Sequence, residues 1–355
     1  MKKVLILCSS IIPNGGSERA VSNLSELLSE IGDVSHKIIS ICSDESETPA
    51  FNFKGEVLHL SMKHLQTSLI KKIGWYRKIL LPLNKIIKDN QPDVIFSIGH
   101  NISAIVPFLH TGSARTYACE HIDFNTIPPL NQKILTTLYP RLSGVIVLSD
   151  IAKEKLIKTN RNVIVIPNSI PFQINRKSTM DNKSFIMVGR ISPEKGYCRL
   201  IPIAKRLKAL LPNWTINVYG DGPDRIKIEK MIEENELGDF VRLHGTDKHI
   251  SERYPENDIL LLTSYTEALP MAIIEANAFG LPAIAYENEG VNVLLNDGLN
   301  GYRIEADNVE KFVEAVKMLT SDKERLLKIS DDSEKRSREF LPECVKKKWE
   351  SLIFG

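Results

Sequence analysis

The sequence predicts an α/β protein with two domains, each built on a parallel β-sheet that helices cover on both faces. Short apolar runs bounded by turn residues alternate with longer amphipathic stretches along the whole chain. A polar segment without periodicity, residues 169–184, interrupts this alternation and marks a linker. The length of 355 residues is sufficient for two full cores. We therefore expect two similar domains with a cleft between them, and ligands bound outside the carboxyl ends of the strands.

Thirteen apolar runs are predicted as strands, seven before the linker and six after it. The first seven are VLILCS, HKIISIC, EVLHL, DVIFSIG, TYACEH, VIVLS and VIVIP, and the last six are SFIMVGR, TINVYG, VRLHG, DILLLTSY, PAIAY and GYRIE. Helices are predicted between them, for example over residues 17–31, where the apolar residues share one face. The predicted domains are residues 1–168 and 169–335, and residues 336–355 are predicted to form a helix that crosses back to the first domain.

Composition excludes several classes of protein. A formal net charge of +2 argues against a general nucleic-acid binder. The five cysteines form no C-x-x-C pair, which favours free cytosolic thiols over disulfides or a zinc site. The opening MKKVLILCSS has the charged start of a signal peptide, but its apolar run is short, so a buried first strand is favoured. No run approaches the ~20 apolar residues of a transmembrane helix. We expect a cytoplasmic protein, free or on the inner face of the membrane.

Two glutamates, Glu267 and Glu275, lie eight positions apart in TEALPMAIIEANAFG. Pro270 suits the first turn of a helix, and Glu275 falls on the apolar stripe of that helix. Because an unpaired buried charge is costly, Glu275 needs either a structural partner or a ligand. Glu267 follows the strand DILLLTSY, so both carboxylates belong to one βα unit, where a carboxylate can accept hydrogen bonds from a vicinal diol. The alternative is a pair of purely structural glutamates.

Cations and glycines follow other predicted strands. In MVGRISPEKG, Arg190 and Lys195 lie on one strand-end loop before a helix, which suits a diphosphate; the alternative is two solvated surface charges. In PNGGSER, Gly15 and Gly16 would let the backbone approach a ligand, although a plain tight turn is the alternative. This is not the G-x-G-x-x-G dinucleotide fingerprint.

The segment CEHIDFN places Glu120 and His121 at another strand end, where we expect them to point across the cleft. A purely structural histidine is the alternative. No D-x-D occurs in the chain, so the acidic metal clamp of many nucleotide-sugar enzymes is missing and no metal site is predicted. The charge of a leaving group would then be stabilised by Arg190 and Lys195 without Mg²⁺.

Taken together, GGSER, EH, IPN, GRISPEKG, YGDGP and EALPMAIIEA resemble the retaining glycosyltransferases of family 4. The resemblance covers nearly the whole chain and is greatest for bacterial enzymes that build lipid-linked surface polysaccharides. It implies the GT-B fold, with two Rossmann-like domains whose parallel sheets face each other. It also implies that Glu267 contacts the donor hexose, Glu275 the ribose, Arg190 and Lys195 the diphosphate, and that His121 reaches the donor sugar from the first domain.

The resemblance assigns catalytic roles to His121, Arg190, Lys195 and Glu267. The positions that it assigns to donor binding are Gly15, Gly16, Gly189, Arg190, Lys195, Gly220, Gly245, Glu267, Ala268, Leu269, Pro270, Met271 and Glu275. Arg19 and Glu120 are candidates for the acceptor. The chain departs from the family at Ala268, where glycine is usual, and the added methyl can alter which hexose fits.

Residues 62–88 contain seven Lys or Arg residues and no acidic residue before Asp89. Aromatic and leucine residues interleave with them, as in a helix at a membrane surface. The candidates for membrane contact are Lys71, Lys72, Trp75, Arg77 and Lys78. The alternative is a solvated basic face whose apolar side packs on the sheet.

These observations predict a metal-independent retaining hexosyltransferase with no other cofactor. The expected donor is a nucleotide-diphosphate sugar, which the resemblance to the family implies is UDP-linked, and the expected acceptor is a polyprenyl-diphosphate-linked saccharide at the cytosolic membrane face. Two alternatives are a non-hydrolysing UDP-sugar 2-epimerase of similar fold and a non-catalytic sugar-nucleotide-binding partner. The basic stretch argues against the first, and the four residues Arg190, Lys195, Glu267 and Glu275 argue against the second.

Overall fold

A computed structural model describes residues 1–13, 15–63 and 69–355, and for residues 69–73 it describes the backbone alone. The chain divides into two compact units, one of Met1–Ser169 with Pro342–Gly355 and one of Ile170–Leu341. Each unit contains one parallel sheet with helices, so the predicted α/β class with two parallel-sheet domains is confirmed. Residues 336–341 belong to the second unit, where the amide of Ile170 donates to the carbonyl of Phe340 at 2.8 Å.

The first unit contains a seven-stranded sheet with the order β3-β2-β1-β4-β5-β6-β7, in which every neighbouring pair is parallel. Its strands are β1 (Lys2–Cys8), β2 (Val34–Ser40), β3 (Glu56–His59), β4 (Val94–Ile98), β5 (Arg115–Cys119), β6 (Gly144–Val147) and β7 (Val163–Val165). Each of the seven predicted runs overlaps one of these strands.

The second unit contains a six-stranded sheet with the order β10-β9-β8-β11-β12-β13, again parallel at every pair. Its strands are β8 (Ser184–Val188), β9 (Thr215–Tyr219), β10 (Val241–Gly245), β11 (Ile259–Leu262), β12 (Ala283–Tyr286) and β13 (Gly301–Ile304). The six predictions for this half are also confirmed.

Thirteen α-helices are assigned in the described part of the chain. They are α1 (Gly16–Ser29), α2 (Leu69–Asn90), α3 (His100–Ser103), α4 (Pro129–Leu138), α5 (Asp150–Leu156), α6 (Leu200–Leu210), α7 (Arg225–Glu234), α8 (Ile250–Arg253), α9 (Met271–Ala278), α10 (Glu289–Leu294), α11 (Val309–Thr320), α12 (Lys323–Ser337) and α13 (Pro342–Phe354). One-turn 3-10 helices cover Val106–Phe108, Phe124–Thr126, Tyr139–Arg141, Pro193–Lys195, Tyr197–Arg199, Tyr254–Glu256 and Arg338–Phe340.

Alternate residues of the first sheet enter two separate cores. Leu5 and Leu7 of β1 pack in the core that contains residues of α2, whereas Val4 and Ile6 pack in the core that contains α1 and α13. Successive side chains of a strand point to opposite faces, so a sheet with helices on both faces buries both sets. Within this unit α13 is held by Trp349, whose ring lies 5.1 Å from that of Phe96.

The helix α2 corrects part of the predicted membrane face. Trp75 is buried in the core of the first unit, and its indole N–H donates to the carbonyl of Lys63 at 2.6 Å. Arg77 and Lys78 are exposed, and Leu81 is 79% exposed beside them. The side chains of Lys71 and Lys72 lie outside the described residues. Trp75 is therefore a core residue, because the apolar side of the helix packs on the sheet, and only the basic side remains available for other contacts.

Strand order defines where the loops of each unit converge. In the first sheet β1 lies between β2 and β4, and in the second β8 lies between β9 and β11. The chain therefore leaves these neighbouring strands in opposite directions, and a crevice opens outside their carboxyl ends. Gly15 and Gly16 follow β1, Gly189, Arg190 and Lys195 follow β8, and Glu267 follows β11, whereas Glu120 and His121 follow the next strand, β5.

Candidate active site

Three predicted donor-binding glycines lie at the carboxyl ends of neighbouring strands in the second unit. The amide of Gly189, after β8, donates to the carbonyl of Tyr219 at 3.0 Å, and the amide of Gly220, after β9, donates to that of Gly245 at 2.8 Å. A Cβ atom at Gly220 would lie 1.9 Å from the carbonyl oxygen of Gly189, and the φ of Gly220 is 152°. Only glycine allows this close approach of the two backbones.

Arg190 and Lys195 lie on the loop that follows β8. Gly196, with φ 63°, separates the 3-10 turn that contains Lys195 from the turn Tyr197–Arg199, so α6 begins only at Leu200. The expected helix N-terminus directly after Lys195 is therefore a pair of one-turn helices. The Arg190 side chain is exposed to solvent, whereas Lys195 is directed at Glu267.

Glu267 accepts two hydrogen bonds at the same oxygen. Lys195 Nζ lies 2.6 Å from Glu267 Oε1, and the hydroxyl of Ser264 donates to that atom at 2.8 Å. The Glu267 side chain is 11% exposed and the Lys195 side chain is 27% exposed. The loops after β8 and β11 thus bring a carboxylate and an ammonium together at an accessible edge of the sheet. This pair can place a fixed negative charge and a fixed positive charge against a bound ligand.

Glu275 has a protein partner. Its side chain is fully buried on α9, and its Oε2 accepts a hydrogen bond from the hydroxyl of Tyr254 at 2.7 Å. The ring of Tyr254 stacks on Phe279, with centroids 5.4 Å apart. The buried surface of α9 is wider than the single apolar stripe that the sequence predicted. Residues 273–278 are all buried, while Met271 is half-buried. A structural partner therefore accounts for the burial of this carboxylate, and contact with a ribose stays a prediction.

The segment of residues 267–270 turns tightly against the start of α10. The amide of Gly290 donates to the carbonyl of Glu267 at 3.0 Å, and a Cβ atom on Gly290 would lie 2.7 Å from that oxygen. Ala268 and Met271 are half-buried, whereas Leu269 and Pro270 are buried. Of the four predicted donor-binding residues that follow Glu267, Ala268 and Met271 thus remain accessible to a ligand.

A cavity of about 180 Å³ lies at the switch point of the first unit. It is lined by the ends of β1 and β4, by the first turn of α1 and by His121 after β5. Its polar lining is provided by Ser9, Ser10, Ser17, Glu18, His100, Asn101 and His121. No lysine or arginine is among the lining residues in the described part of the chain. Hydroxyl, amide and imidazole groups of this kind are suited to hydrogen bonding with a polyhydroxylated ligand.

His121 contributes a neutral imidazole to this cavity. Its Nδ1 is buried and has no hydrogen-bond partner among the described residues, although the residue as a whole is half-buried. Burial lowers the pKa of the ring from its ordinary 6.5 to about 4. A neutral ring can both donate and accept a hydrogen bond, so His121 is suited to contact a ligand hydroxyl at neutral pH.

Glu120 does not present its carboxylate to a ligand in this structure. The side chain is buried, and its Oε1 accepts a hydrogen bond from the hydroxyl of Tyr139 at 2.5 Å. Burial raises the pKa of Glu120 to about 7. The expectation that Glu120 and His121 both point outward is corrected for Glu120, because its carboxylate is buried within the unit against the hydroxyl of Tyr139.

The loop before α1 holds the remaining candidates. Gly15 is the N-cap of α1 with an extended backbone, and a Cβ atom added to Gly16 would have no atom within 4 Å. Packing within the unit therefore does not require glycine at position 16, and the space beside its backbone can admit a ligand. Arg19 is half-buried on the first turn of α1, and its role toward an acceptor stays a prediction.

The sequence analysis did not identify two residues that lie near Glu267 and Glu275 in the second unit, Tyr254 and Arg199. Tyr254 is one apolar residue among many before the strand β11, and Arg199 resembles an ordinary charge at the start of an amphipathic helix. Both are buried and contact the βα unit of the two glutamates. Among the described residues, no group of three or more His, Cys, Asp or Glu side chains is arranged to hold a metal ion.

Comparison with known proteins supports one family. A model described as "Glycosyltransferase Family 4" matches residues 14–173, and one described as "Glycosyl transferases group 1" matches residues 170–336. The chain is 28% identical to an uncharacterized glycosyltransferase of Haemophilus influenzae and 27% identical to the amylovoran biosynthesis glycosyltransferase AmsD of Erwinia amylovora, each over 99% of this chain and 100% of the relative.

A third relative has a more detailed name. The chain is 24% identical, over 99% of its length and 98% of the relative, to a Campylobacter jejuni enzyme named GalNAc-alpha-(1->4)-GalNAc-alpha-(1->3)-diNAcBac-PP-undecaprenol alpha-1,4-N-acetyl-D-galactosaminyltransferase. Similar solved structures include sucrose-phosphate synthase from Thermosynechococcus elongatus (TM-score 0.85, 15% identity, 100% of this chain and 98% of that one). Anabaena HepE in complex with UDP is also similar (TM-score 0.79, 19% identity, 100% of both chains). At these identities the structures show the fold alone.

Proposed function

The chain belongs to glycosyltransferase family 4, and from this premise we propose that it transfers a hexose from a nucleotide-diphosphate sugar to a lipid-linked saccharide. The donor is a UDP-sugar whose hexose is galactose, N-acetylgalactosamine, glucose or N-acetylglucosamine. The observation that carries the proposal is the ion pair between Lys195 and Glu267 at the switch point of the second sheet, with Arg190 exposed on the same loop. This arrangement provides cations for a diphosphate and a carboxylate for sugar hydroxyls.

The transfer retains the configuration at the anomeric carbon. The bond between C1 of the hexose and the diphosphate oxygen breaks, and a bond between C1 and the acceptor oxygen forms on the same face. The acceptor proton moves to the departing diphosphate, so no nucleophile of the protein is needed. The protein accelerates this reaction by holding Arg190 and Lys195 where negative charge develops and by positioning the two substrates.

No divalent cation takes part in the proposed reaction. The chain has no D-x-D motif, and Arg190 with Lys195 can stabilise the leaving group. EDTA is therefore expected to leave the initial rate of the purified protein largely unchanged. A rate that collapses in EDTA and returns with Mg²⁺ would contradict this part of the proposal.

We further propose an acceptor carried on a polyprenyl diphosphate, for polysaccharide assembly at the cytosolic membrane face. The Campylobacter relative is named for an acceptor of the PP-undecaprenol type, and the Erwinia relative is named for amylovoran biosynthesis. In this chain Arg77, Lys78 and Leu81 form an exposed basic and apolar surface on α2. None of the helices in the described part of the chain combines the length and apolar character needed to cross a bilayer.

The function is tested with a panel of nucleotide sugars in two assays on the same protein. A ligand that binds only the native state raises the melting temperature, so thermal shift identifies the donor without knowledge of the acceptor. The identified donor is then supplied with short lipid-linked saccharides, and the anomeric configuration of the product is determined by NMR. Interconversion of the donor at C2 without an acceptor would indicate the epimerase alternative. Binding with neither hydrolysis nor transfer would indicate a non-catalytic partner.

A further inference from the structure

Arg199 is a buried cation behind the candidate site. Its side chain is 7% exposed, and the guanidinium lies between two tyrosine rings, with Cζ 4.3 Å from the centroid of Tyr265 and 4.1 Å from that of Tyr286. Cations in such positions are attracted by the electron-rich faces of aromatic rings. Burial of a charge is nevertheless costly unless its donors are satisfied, so the surroundings of Arg199 must compensate for it.

The donors of Arg199 are directed at the end of β11. Its Nη1 donates to the carbonyl oxygens of Thr263 at 3.1 Å and of Ser264 at 3.5 Å, and its Nε donates to Asp307 Oδ1 at 2.6 Å. Asp307 is 70% exposed, so solvent screens its charge, and the carbonyls and the two rings also stabilise the buried guanidinium. Arg199 thus binds the backbone at the start of the loop that leads to Glu267.

The same loop is joined to the turn of Lys195 by further hydrogen bonds. The amide of Tyr265 donates to the carbonyl of Glu194 at 2.9 Å, and the hydroxyl of Thr263 donates to the carbonyl of Lys195 at 3.2 Å. At Gly196, a Cβ atom would lie 2.3 Å from the carbonyl oxygen of Thr263. The two loops are therefore in direct backbone contact, and Arg199 and Lys195 belong to one pair of adjacent turns.

We propose that Arg199 is a positioning residue. By binding the carbonyls of Thr263 and Ser264 it fixes the loop of residues 263–267, and this keeps the Glu267 carboxylate against the Lys195 ammonium. The ring of Tyr265 covers the guanidinium from the accessible side and excludes water from these bonds. This inference rests on the proposed function only for its kinetic consequence, since the fixed loop is a property of the free protein.

A charge with a planar set of donors is needed for this role. The guanidinium can donate to adjacent carbonyls while stacking on both rings, whereas a lysine ammonium is a compact charge that cannot stack in this way. Arg199→Lys is therefore expected to lose most of the positioning, and Arg199→Met all of it. The matched control is Arg206→Met, since Arg206 lies on α6, is 53% exposed and pairs only with the exposed Glu310 among the described residues.

The first readout does not depend on catalysis. In hydrogen–deuterium exchange of the free protein, the peptide covering residues 262–270 should exchange at least tenfold faster in Arg199→Met than in the wild type, and unchanged in Arg206→Met. Equal exchange in all three proteins would overturn the proposal even if no donor were ever turned over. If Arg199→Met does not fold, Tyr265→Leu replaces it, because Tyr265 is 54% exposed and its loss uncovers only one face of the guanidinium.

The second readout separates positioning from general stability. Below the melting temperature of the variant, Arg199→Met should lower kcat at least tenfold with little change in the KM for the acceptor. In the Glu267→Gln background the same substitution should cost less than threefold, because residues that act through one another are not additive. An equal loss in both backgrounds would mean that Arg199 acts independently of Glu267. Failure of the wild type to transfer any sugar would refute the proposed function. The positioning role of Arg199 would then be tested by the hydrogen–deuterium exchange result alone.

Discussion

Lys195 Nζ lies 2.6 Å from Glu267 Oε1, so two residues 72 positions apart form an ion pair at one edge of the second sheet. The pair is partly exposed, which keeps both charges within reach of a ligand. Only 11% of the Glu267 side chain and 27% of the Lys195 side chain are exposed, so both groups have lost most of their water and each compensates the charge of the other. The pair thus holds one negative and one positive charge at fixed positions at this edge of the sheet.

Removal of either cation of the β8 loop should impair transfer much more than folding. Arg190→Ala and Lys195→Ala are each expected to lower kcat/KM on the order of 10²-fold, the scale of losing one preorganised charge contact to a developing negative charge. The melting temperature should change little in Arg190→Ala, because that side chain is exposed, and should fall further in Lys195→Ala, because the partner Glu267 side chain is only 11% exposed. Initial rates with a saturating acceptor measure the effect. Lys205→Ala is the control, since Lys205 is an exposed lysine on α6. Near-wild-type rates in both Arg190→Ala and Lys195→Ala would contradict the assignment of these cations to the diphosphate.

Glu275 and Tyr254 allow a ligand role to be separated from a structural one. If Glu275 contacts the ribose, Glu275→Gln should weaken UDP binding at least tenfold, whereas Tyr254→Phe should lower the melting temperature and spare UDP affinity. Glu267→Gln should spare UDP and weaken a UDP-sugar, since Glu267 is assigned to the hexose. Calorimetric titration with UDP and with the UDP-sugar gives the affinities. Unchanged UDP affinity in Glu275→Gln, with a fall in melting temperature like that of Tyr254→Phe, would show that this carboxylate serves the fold alone.

Glu120 should make the protein less stable as the pH rises. Its pKa is raised from 4.5 to about 7 in the folded protein, so between these values the unfolded chain binds fewer protons than the folded one and the free energy of unfolding falls with rising pH. The full change corresponds to about 3 kcal/mol. Glu120→Gln should remove it, so the variant should gain stability relative to the wild type from pH 4.5 to pH 7. Urea unfolding at four pH values measures this difference.

The neighbouring His121 acts in the opposite direction. Its pKa is lowered to about 4, so the folded state loses stability as the pH falls from 6.5 toward 4. This contribution is present in both wild type and Glu120→Gln and cancels in their difference. Glu154→Gln, which replaces an exposed glutamate on α5, serves as the control for the loss of a carboxylate. A stability difference between wild type and Glu120→Gln that does not change with pH would mean that the Glu120 carboxylate is not buried in solution.

The basic side of α2 should bind anionic membranes without contributing to the core. Replacement of Lys71, Lys72, Arg77 and Lys78 by Gln should release the protein from phosphatidylserine vesicles, since each basic residue near the surface contributes about 1 kcal/mol. The melting temperature should stay nearly constant, because Arg77 and Lys78 are exposed. Vesicle sedimentation at two salt concentrations measures the binding.

Trp75→Ala should have the opposite effects to the quadruple variant: it should lose stability and keep vesicle binding. Its loss from the core should lower the melting temperature, since a large-to-small change of a buried aromatic residue costs about 3–5 kcal/mol. Vesicle binding below the new melting temperature should be unaffected. If the quadruple variant stayed on the vesicles, the membrane would be bound by another surface, and Arg19 would be the next candidate.

Local sequence was sufficient to predict the strands and the two-domain class. Runs such as VLILCS and DILLLTSY are apolar because a strand of a parallel sheet with helices on both faces buries both of its sides. In a parallel sheet the carboxyl ends of the strands lie at the same edge. Gly189, Lys195 and Glu267 all follow strands of the second sheet, so the sequence also places them at one edge. The prediction that these residues bind a nucleotide sugar came from the family motifs, because periodicity alone does not identify a ligand.

Only the tertiary structure decided which way individual side chains point and what they contact. Glu120 is bonded to Tyr139, Trp75 is bonded to the carbonyl of Lys63, and Glu275 is bonded to Tyr254, 21 positions away. Strand order and helix packing determine these contacts, and a sequence pattern reports the burial of a position but not its partner. Arg199 is the clearest case: its sequence neighbours indicate a helix start, and its position between Tyr265 and Tyr286 follows from the side-by-side arrangement of β8, β11 and β12.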